Sequence, residues 1–579
     1  MISQISFKNY KAFKNGEIKI KPITILLGAN SVGKSSVVQL LLMLQQTALS
    51  NKYKSALKLH GEFVSLGENE NIFNKKNTEN DLEISFDFKD SNLFNLITKE
   101  LYNDLETSLT MRLDIFRSIL KHYSRNKPDN DLFENAIIPT KSKNFKSKDE
   151  FLQQVEKLSK LAKYVEQNEI IINDDDDDDE DNFILSPHFR RFLLPEAENI
   201  DDLYKSNLGD SYELFQRLQK IKNKEFNISF RIKNIYSKKN NVLKISSVKI
   251  SNDNKCIFDL KFEINKAKAQ YTNVIIKSDF LDNDKFFFTS KKKDFLKKIQ
   301  YDSTLFYLFL PSDNEVDFPE FVVNESFIPS ISSIINSIFS SALFTLRRNF
   351  KKEMINYVSP LRAHPKRYYF LDKAKINTFL DTLDGNSLTE ILKENDLVKS
   401  KVNNWLERFN LSVNVSTLED VIHKLKIKQN DLSLDITDVG FGISQVLPVI
   451  VQGFLSYQKS LTIIEQPEIH LHPKMQADLA DLFIDIIYTD NKQNPSKFLI
   501  IETHSEYLLK RLRRRMAEKK RVKTSDVAIY FFDPKSQDDN GCCIEEREIS
   551  KEGAFEWPKN FYSGELLQDT IEFIKHQGY

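Results

Sequence analysis

The chain has 579 residues, and its 83 Lys plus Arg balance 83 Asp plus Glu, so no global field announces a nucleic acid or a membrane as partner. Only three cysteines occur, Cys256, Cys542 and Cys543, with no CxxC spacing, which argues against a disulfide framework and a cysteine zinc site. The start lacks the apolar core of a signal peptide and no charge-free apolar run reaches about 18 residues, so a reduced, cytoplasmic protein of roughly four domain-sized units is expected, with no membrane partner.

The first 27 residues alternate as strands do: Ile2, Ile5 and Phe7, then Ile18 and Ile20, then the run Ile23–Leu27. That run leads into Gly28-Ala29-Asn30-Ser31-Val32-Gly33-Lys34-Ser35-Ser36, and the apolar stretch Ser36–Leu44 reads as the helix that follows. A loop of this composition between a buried strand and a helix is a phosphate cradle. Glycines 28 and 33 let the backbone wrap a triphosphate, with N–H groups and the helix N-terminus aimed at its oxygens. Lys34 reaches the β- and γ-phosphates, and the Ser35 hydroxyl is placed for Mg²⁺. Next, Leu57–Gly67 reads as a strand and turn, and residues 92–170 read as mainly helical. The run Asp174–Asp179, extended by Glu180 and Asp181, repels itself and reads as a solvated loop; a metal-binding or DNA-mimicking role is the alternative.

Strands return between about 225 and 290, as in Phe226–Ile232 and Val242–Ile250, and Ser330–Phe350 reads as a helix. Arg362 and Arg367 lie in the turn-rich stretch Ser359–Tyr368, where they either face a nucleotide or pack. There is no internal repeat and no sustained heptad, so a long coiled-coil arm is not expected. Three further motifs then follow in order: Asp438–Leu447, Leu461–Pro473 and Phe498–Ser505. The last is a strand ending at His504, before a helix over Glu506–Lys520.

Together these motifs resemble the ATP-binding-cassette superfamily, specifically its SMC-like and OLD-like branch of bacterial AAA-family ATPases. The opening element Asn9-Tyr-Lys-Ala-Phe13 looks like that branch as well. The resemblance covers roughly residues 1–70 and 430–535. By it, Gly28–Ser36 matches the Walker A loop and Gly442-Ile-Ser444-Gln445 the signature loop. Ile463-Ile-Glu465 matches the end of the Walker B strand, Leu471-His-Pro473 the D-loop region, and His504 the switch histidine. The resemblance implies an α/β fold, an ABC-type P-loop ATPase core interrupted by a long α+β insertion with a helical lobe. It also implies ATP and Mg²⁺ as cofactors and a head-to-tail homodimer with two ATP molecules sandwiched between protomers.

The residue types suit that chemistry. Glu465 ends a buried strand where its carboxylate can hold Mg²⁺ with Ser35; the bland reading is a helix cap. The helix start at Gly442-Ile-Ser444 offers N–H groups and a hydroxyl to a γ-phosphate, which in the superfamily belongs to the opposite subunit. His504 is placed for the same phosphate or its attacking water, or else is structural. His470 and His472 lack a third convergent ligand for zinc. One departure stands out: the position after the Walker B acid, usually glutamate, is Gln466. An amide orients water but cannot take its proton, so hydrolysis is expected to be slow unless Glu468 substitutes.

Lys510–Lys523 is the densest positive cluster, suited to a DNA or RNA backbone or to a solvated or partner-facing helix; no aromatics interleave for base stacking. The tail, with Gly553–Tyr562 and a helix near 564–576, resembles a C-terminal domain of unknown function found on such ATPases. OLD-type nucleases carry a Toprim domain there, so a nuclease is disfavoured. The expected division is residues 1–75 and 431–535 for the two parts of the ATPase core, 76–430 for the insertion with its acidic loop 174–181, and 536–579 for a small tail domain. The expected function is an ATP switch that controls a separate effector protein in anti-phage defence. The alternatives are a DNA-repair ATPase clamping duplex through Lys510–Lys523 and, third, an OLD-type nuclease.

Overall fold

The computed structural model describes residues 2–50, 55–89, 93–124, 148–167, 171–172, 183–184, 208–209, 212–213, 215–220, 225–237, 240–252, 255–279, 329–370, 380–381, 385–419, 421–489, 493–519, 521–534, 542–557, 571–572 and 574–575. The expected acidic loop therefore lies outside the described residues, as does most of the expected last helix. The chain folds into two compact units, one of residues 1–88, 229–245 and 346–579 and one of residues 89–228 and 246–345. The fold is mixed α/β. No described helix is long and apolar enough to cross a membrane.

The first unit is organised by a six-stranded sheet in the order Ile355–Val358, Leu461–Glu465, Phe498–Glu502, Ile23–Gly28, Val527–Asp533, Cys543–Glu546. The first five strands are parallel and the last antiparallel. The runs Ile23–Leu27, Leu461–Ile464 and Leu499–Ile501 are almost wholly apolar because a parallel strand is covered on both faces. The helices Lys34–Ala48, Phe441–Leu455, Pro473–Ile487 and Glu506–Glu518 belong to the same unit. Leu508, Leu509, Leu512 and Met516 form the buried stripe of the last, which Ser505 caps by accepting the Leu508 N–H. Because the strands run in one direction, their C-terminal ends open on one edge, the usual ligand edge of such sheets.

A second layer of this unit starts with the hairpin Ile2–Tyr10 and Phe13–Lys19, whose first strand also pairs antiparallel with Leu82–Phe88. A meander of Leu411–Glu419, Ile422–Gln429 and Leu432–Asp435 accompanies the helices Gly385–Glu394 and Asp396–Leu406, with Trp405 buried among them. In the other unit, the helix Leu93–Ser124 buries Leu105, Leu109, Leu113, Phe116 and Leu120, a stripe at three- and four-residue spacing. Lys148–Gln167 is also helical, and Phe151 on it stacks on Tyr212 at 4.4 Å. Strands Asn240–Asn252, Lys255–Asn265 and Gln270–Lys277 pair antiparallel, and Phe258 meets Phe339 of the helix Pro329–Asn349.

The units divide the chain differently from the expected boundaries at 75, 430 and 535. Leu82–Phe88 joins the N-terminal hairpin, and everything from 346 onward belongs to the core unit, so the inserted unit is two separate segments. The strand Cys543–Glu546 extends the central sheet and Phe555 is buried in its core, which ties the start of the tail to the core as well. Strand pairing between residues hundreds of positions apart leaves no local mark on hydrophobic period. Leu57–Gly67 forms no strand: it is a packed loop with Leu57 and Leu59 buried, closed by a His60–Ser65 bridge and tied to the helix Lys34–Ala48 through Gln46 and Thr47.

Candidate nucleotide site

The loop after Ile23–Gly28 turns through left-handed backbone at Gly28 (φ 144°), Ser31 (φ 64°) and Gly33 (φ 98°). Two of these positions admit only glycine. A Cβ at Gly28 would lie 2.6 Å from the Phe532 carbonyl oxygen, and one at Gly33 would lie 2.5 Å from the Phe13 ring. Ala29, Asn30 and Ser31 form an exposed crest, Val32 turns inward, and Ser35 is exposed beside half-buried Ser36. The helix Lys34–Ala48 starts without a side-chain cap and without an acid in its first turn, leaving a positive dipole end for an anion.

Lys34 is only 3% exposed. Its Nζ donates to the carbonyls of Gly28 (2.9 Å) and Ala29 (2.6 Å) and lies 3.9 Å from Glu502 Oε1. Burial lowers its pKa, while the Glu502 carboxylate works the other way. The lysine head thus lies inside the loop, held by its carbonyls.

Glu465 and Glu502 are register partners at the ends of adjacent parallel strands, and their carboxyls hydrogen-bond each other. They are 8% and 4% exposed. Burial raises both; the Glu465 charge pushes Glu502 further, to about 7, whereas hydrogen bonds with Tyr357 and Glu502 and the Lys34 charge oppose the rise of Glu465. The Tyr357 hydroxyl donates to Glu465 Oε1 at 2.6 Å and the Ser35 hydroxyl to Glu502 Oε2 at 3.4 Å. Lys34 and Ser35 thus contact Glu502 at the sheet edge where Glu465 stands beside it. Glu502 is a site residue that the motifs alone do not single out. The signal was there: Phe498–Glu502, like Leu461–Glu465, is an apolar run ending in a carboxylate.

Beyond Glu465, Gln466 adopts a left-handed backbone (φ 45°) and its N–H donates to the Glu502 carbonyl at 2.7 Å. Strain of this kind concentrates at functional sites. Glu468 does not face open space. Its two oxygens accept the His504 N–H (2.6 Å) and the Thr503 hydroxyl (2.8 Å), so it braces the turn bearing the histidine instead of presenting a free base. Burial raises its pKa. His504 has a buried Nε2 without a hydrogen-bond partner among the described residues, and burial and then Lys34 lower its pKa.

Arg362 packs. Its guanidinium donates to the carbonyls of Gln445 (3.2 Å), Glu465 (2.9 Å) and Gln466 (3.3 Å), and burial pulls its pKa down to about 10. It ties the start of the helix Phe441–Leu455 to the acid strand. Arg367 instead pairs with Asp438 at 2.9 Å.

The glycine-rich segment forms the start of Phe441–Leu455, also without a side-chain cap. Around Gly440 there is open space, whereas a Cβ on Gly442 would meet the His470 carbonyl oxygen at 2.7 Å. Ser444 departs from expectation: it is buried and its hydroxyl donates to the Phe441 carbonyl at 2.7 Å, because in the helix it falls on the core face with Gln445. The backbone end of this helix, not that hydroxyl, is available to an anion. His470 packs against Phe441, and His472 Nδ1 accepts the Lys474 N–H. No metal-binding cluster of His, Cys, Asp and Glu occurs among the described residues.

The basic helix is largely neutralised from within. Arg511 pairs with Asp478 and Asp481, Arg515 with Asp481 and Glu518, Arg514 with Glu518, Lys510 with Glu506, and Arg521 with Asp485. Arg513 lies over the rings of Phe555 and Trp557.

The groups at the sheet edge suit magnesium nucleotide: a cradle of N–H donors for phosphates, and hard oxygen donors from Ser35, Glu465 and Glu502 for Mg²⁺. In comparison with known proteins, a family model described as "AAA ATPase domain" matches residues 1–509. Among solved structures the chain is similar to an SMC head domain from Thermotoga maritima, at 6% identity and a TM-score of 0.31 over 95% of this chain and 99% of that one. A likeness that loose carries no argument about activity or assembly. The comparison with curated proteins gives no match.

Proposed function

The chain belongs to the AAA ATPase domain family, and from that premise we propose that it is a switch ATPase that binds MgATP at the Gly28–Ser36 loop and hydrolyses it slowly. One observation carries this reading: Lys34 and Ser35, from the loop, and Glu465, from a strand more than four hundred residues on, converge on one sheet edge. An incoming triphosphate takes over Lys34 from the carbonyls of Gly28 and Ala29, and the loop N–H groups and uncapped helix end receive its oxygens. Ser35 and Glu465 would hold Mg²⁺, which when bound would supply neutralisation of charge on the phosphates. Tyr357 fixes one Glu465 oxygen, and Arg362 fixes the backbone beneath it. Gln466 orients water without accepting its proton, which makes turnover slow.

The open, uncapped start of Phe441–Leu455 supports a role for that helix end on the γ-phosphate of a second copy, hence an ATP-sandwiched homodimer. Control of a separate effector in anti-phage defence rests on family resemblance alone. Duplex clamping draws no support from the helix Glu506–Glu518, whose arginines have acidic or aromatic partners in the same chain. Sedimentation velocity tests the switch: with ATP the protein shifts to a dimer that decays as phosphate is released. A sedimentation coefficient unchanged by saturating ATP would remove the dimer.

A further inference from the structure

The strand edge holds one more buried carboxylate than the loop chemistry requires. We propose that Glu502 is a second acidic ligand of the cation site, supplied by the strand next to that of Glu465. This assignment rests on the MgATP reading above.

Three observations carry it. Register pairing puts Glu502 beside Glu465 with both side chains on the same side of the sheet, and the Gln466 N–H to Glu502 carbonyl bond locks the two strand ends together. The pair is therefore preorganised. Next, apart from its neighbour Glu465, the Glu502 side chain reaches the phosphate loop: Ser35 at 3.4 Å and Lys34 at 3.9 Å. The serine hydroxyl expected to meet Mg²⁺ thus already touches this acid. Finally, Lys34 is the cation paired with Glu502 among the described residues, and the same lysine is the group a phosphate would draw away. Once it leaves, two buried carboxylates face each other, and a divalent ion bound by oxygen ligands balances both charges.

The competing role is simpler: Glu502 serves only as a counter-ion that holds Lys34 in place. Glu502→Gln separates the two by readout: the amide oxygen still accepts from Ser35 but brings no charge, so a lost counter-ion shows without metal and a lost ligand only with it. The test titrates a fluorescent, non-hydrolysable ATP analogue into the full chain with and without Mn²⁺, for wild type, Glu502→Gln and Glu465→Gln, with melting curves alongside. The readout is the factor by which Mn²⁺ tightens nucleotide binding. The expected result is a factor about tenfold smaller or less in both variants, with metal-free affinity and melting temperature of Glu502→Gln not reduced. A factor unchanged in Glu502→Gln but reduced in Glu465→Gln overturns this assignment and leaves the MgATP site standing. Loss of metal-free binding or of thermal stability in Glu502→Gln makes it a structural counter-ion and also overturns it. If Mn²⁺ fails to tighten nucleotide binding even in wild type, the MgATP reading itself falls.

Discussion

In the helix Glu506–Glu518 the arginines face fixed partners: Asp481, nearly buried, takes Arg511 and Arg515 together, and Glu518 takes Arg514 and Arg515. At the C-terminal edge of the central sheet the balance runs the other way. Glu465 and Glu502 share a hydrogen bond with each other, and Lys34 divides itself between two carbonyls and one carboxylate. Both regions look like bare charge motifs in the sequence. The first has satisfied its charges internally and is built to hold helices together; the second keeps a surplus of acid in a dry place, which is costly unless a ligand completes it. Charge density alone therefore says little about a binding surface, and charge without a fixed partner says a great deal.

Perturbing the two regions should separate them by what fails. Glu465→Gln should lower kcat for ATP by roughly a hundredfold or more while the protein stays folded, measured by phosphate release. Asp481→Asn should leave ATP turnover alone and cost about 2 kcal/mol in urea unfolding, because two half-buried guanidinium groups lose the buried charge and one of the two oxygens that bind them. Burial opposes the Asp481 charge, yet Arg515 and Arg511 hold its carboxyl below the ordinary range. Its stabilisation is therefore present above the unfolded aspartate pKa near 4 and disappears as pH falls through the lower folded value, so the gap between wild type and variant closes only in acid. Tyr357→Phe removes one hydrogen bond to Glu465 and should slow turnover about fivefold, or about 1 kcal/mol, with nucleotide affinity retained. The smallest effect belongs to Arg514→Gln, which breaks an exposed pair with Glu518 and should leave both melting temperature and turnover unchanged.

Much of the site was legible because its parts are local. The run Ile23–Leu27, the two glycines and Lys34-Ser35 announce strand, turn and helix within one stretch, and the apolar run into Glu465 announces a second strand end. What was not legible was which strands stand side by side. The adjacency of Leu461–Glu465 and Phe498–Glu502 turns Glu502 from an ordinary strand residue into half of an acid pair. Helical phase decided Ser444, since one step around Phe441–Leu455 turns its hydroxyl inward. Arg362 was left open between two roles because its acceptors are main-chain carbonyls, which carry no residue-type signature. The partners of the basic cluster, Asp478, Asp481 and Asp485, are not legible beside it because they sit on another helix, three to four residues apart on one face.

The central claim is that one triphosphate site joins the glycine loop to the acid edge. Isothermal titration of ATP into wild type and Lys34→Ala, each with and without Mg²⁺, tests it most directly. Wild type should bind one ATP per chain, more tightly with Mg²⁺, and the variant should lose at least tenfold in affinity while melting normally. Equal affinity in the two proteins, or binding indifferent to Mg²⁺, would contradict it.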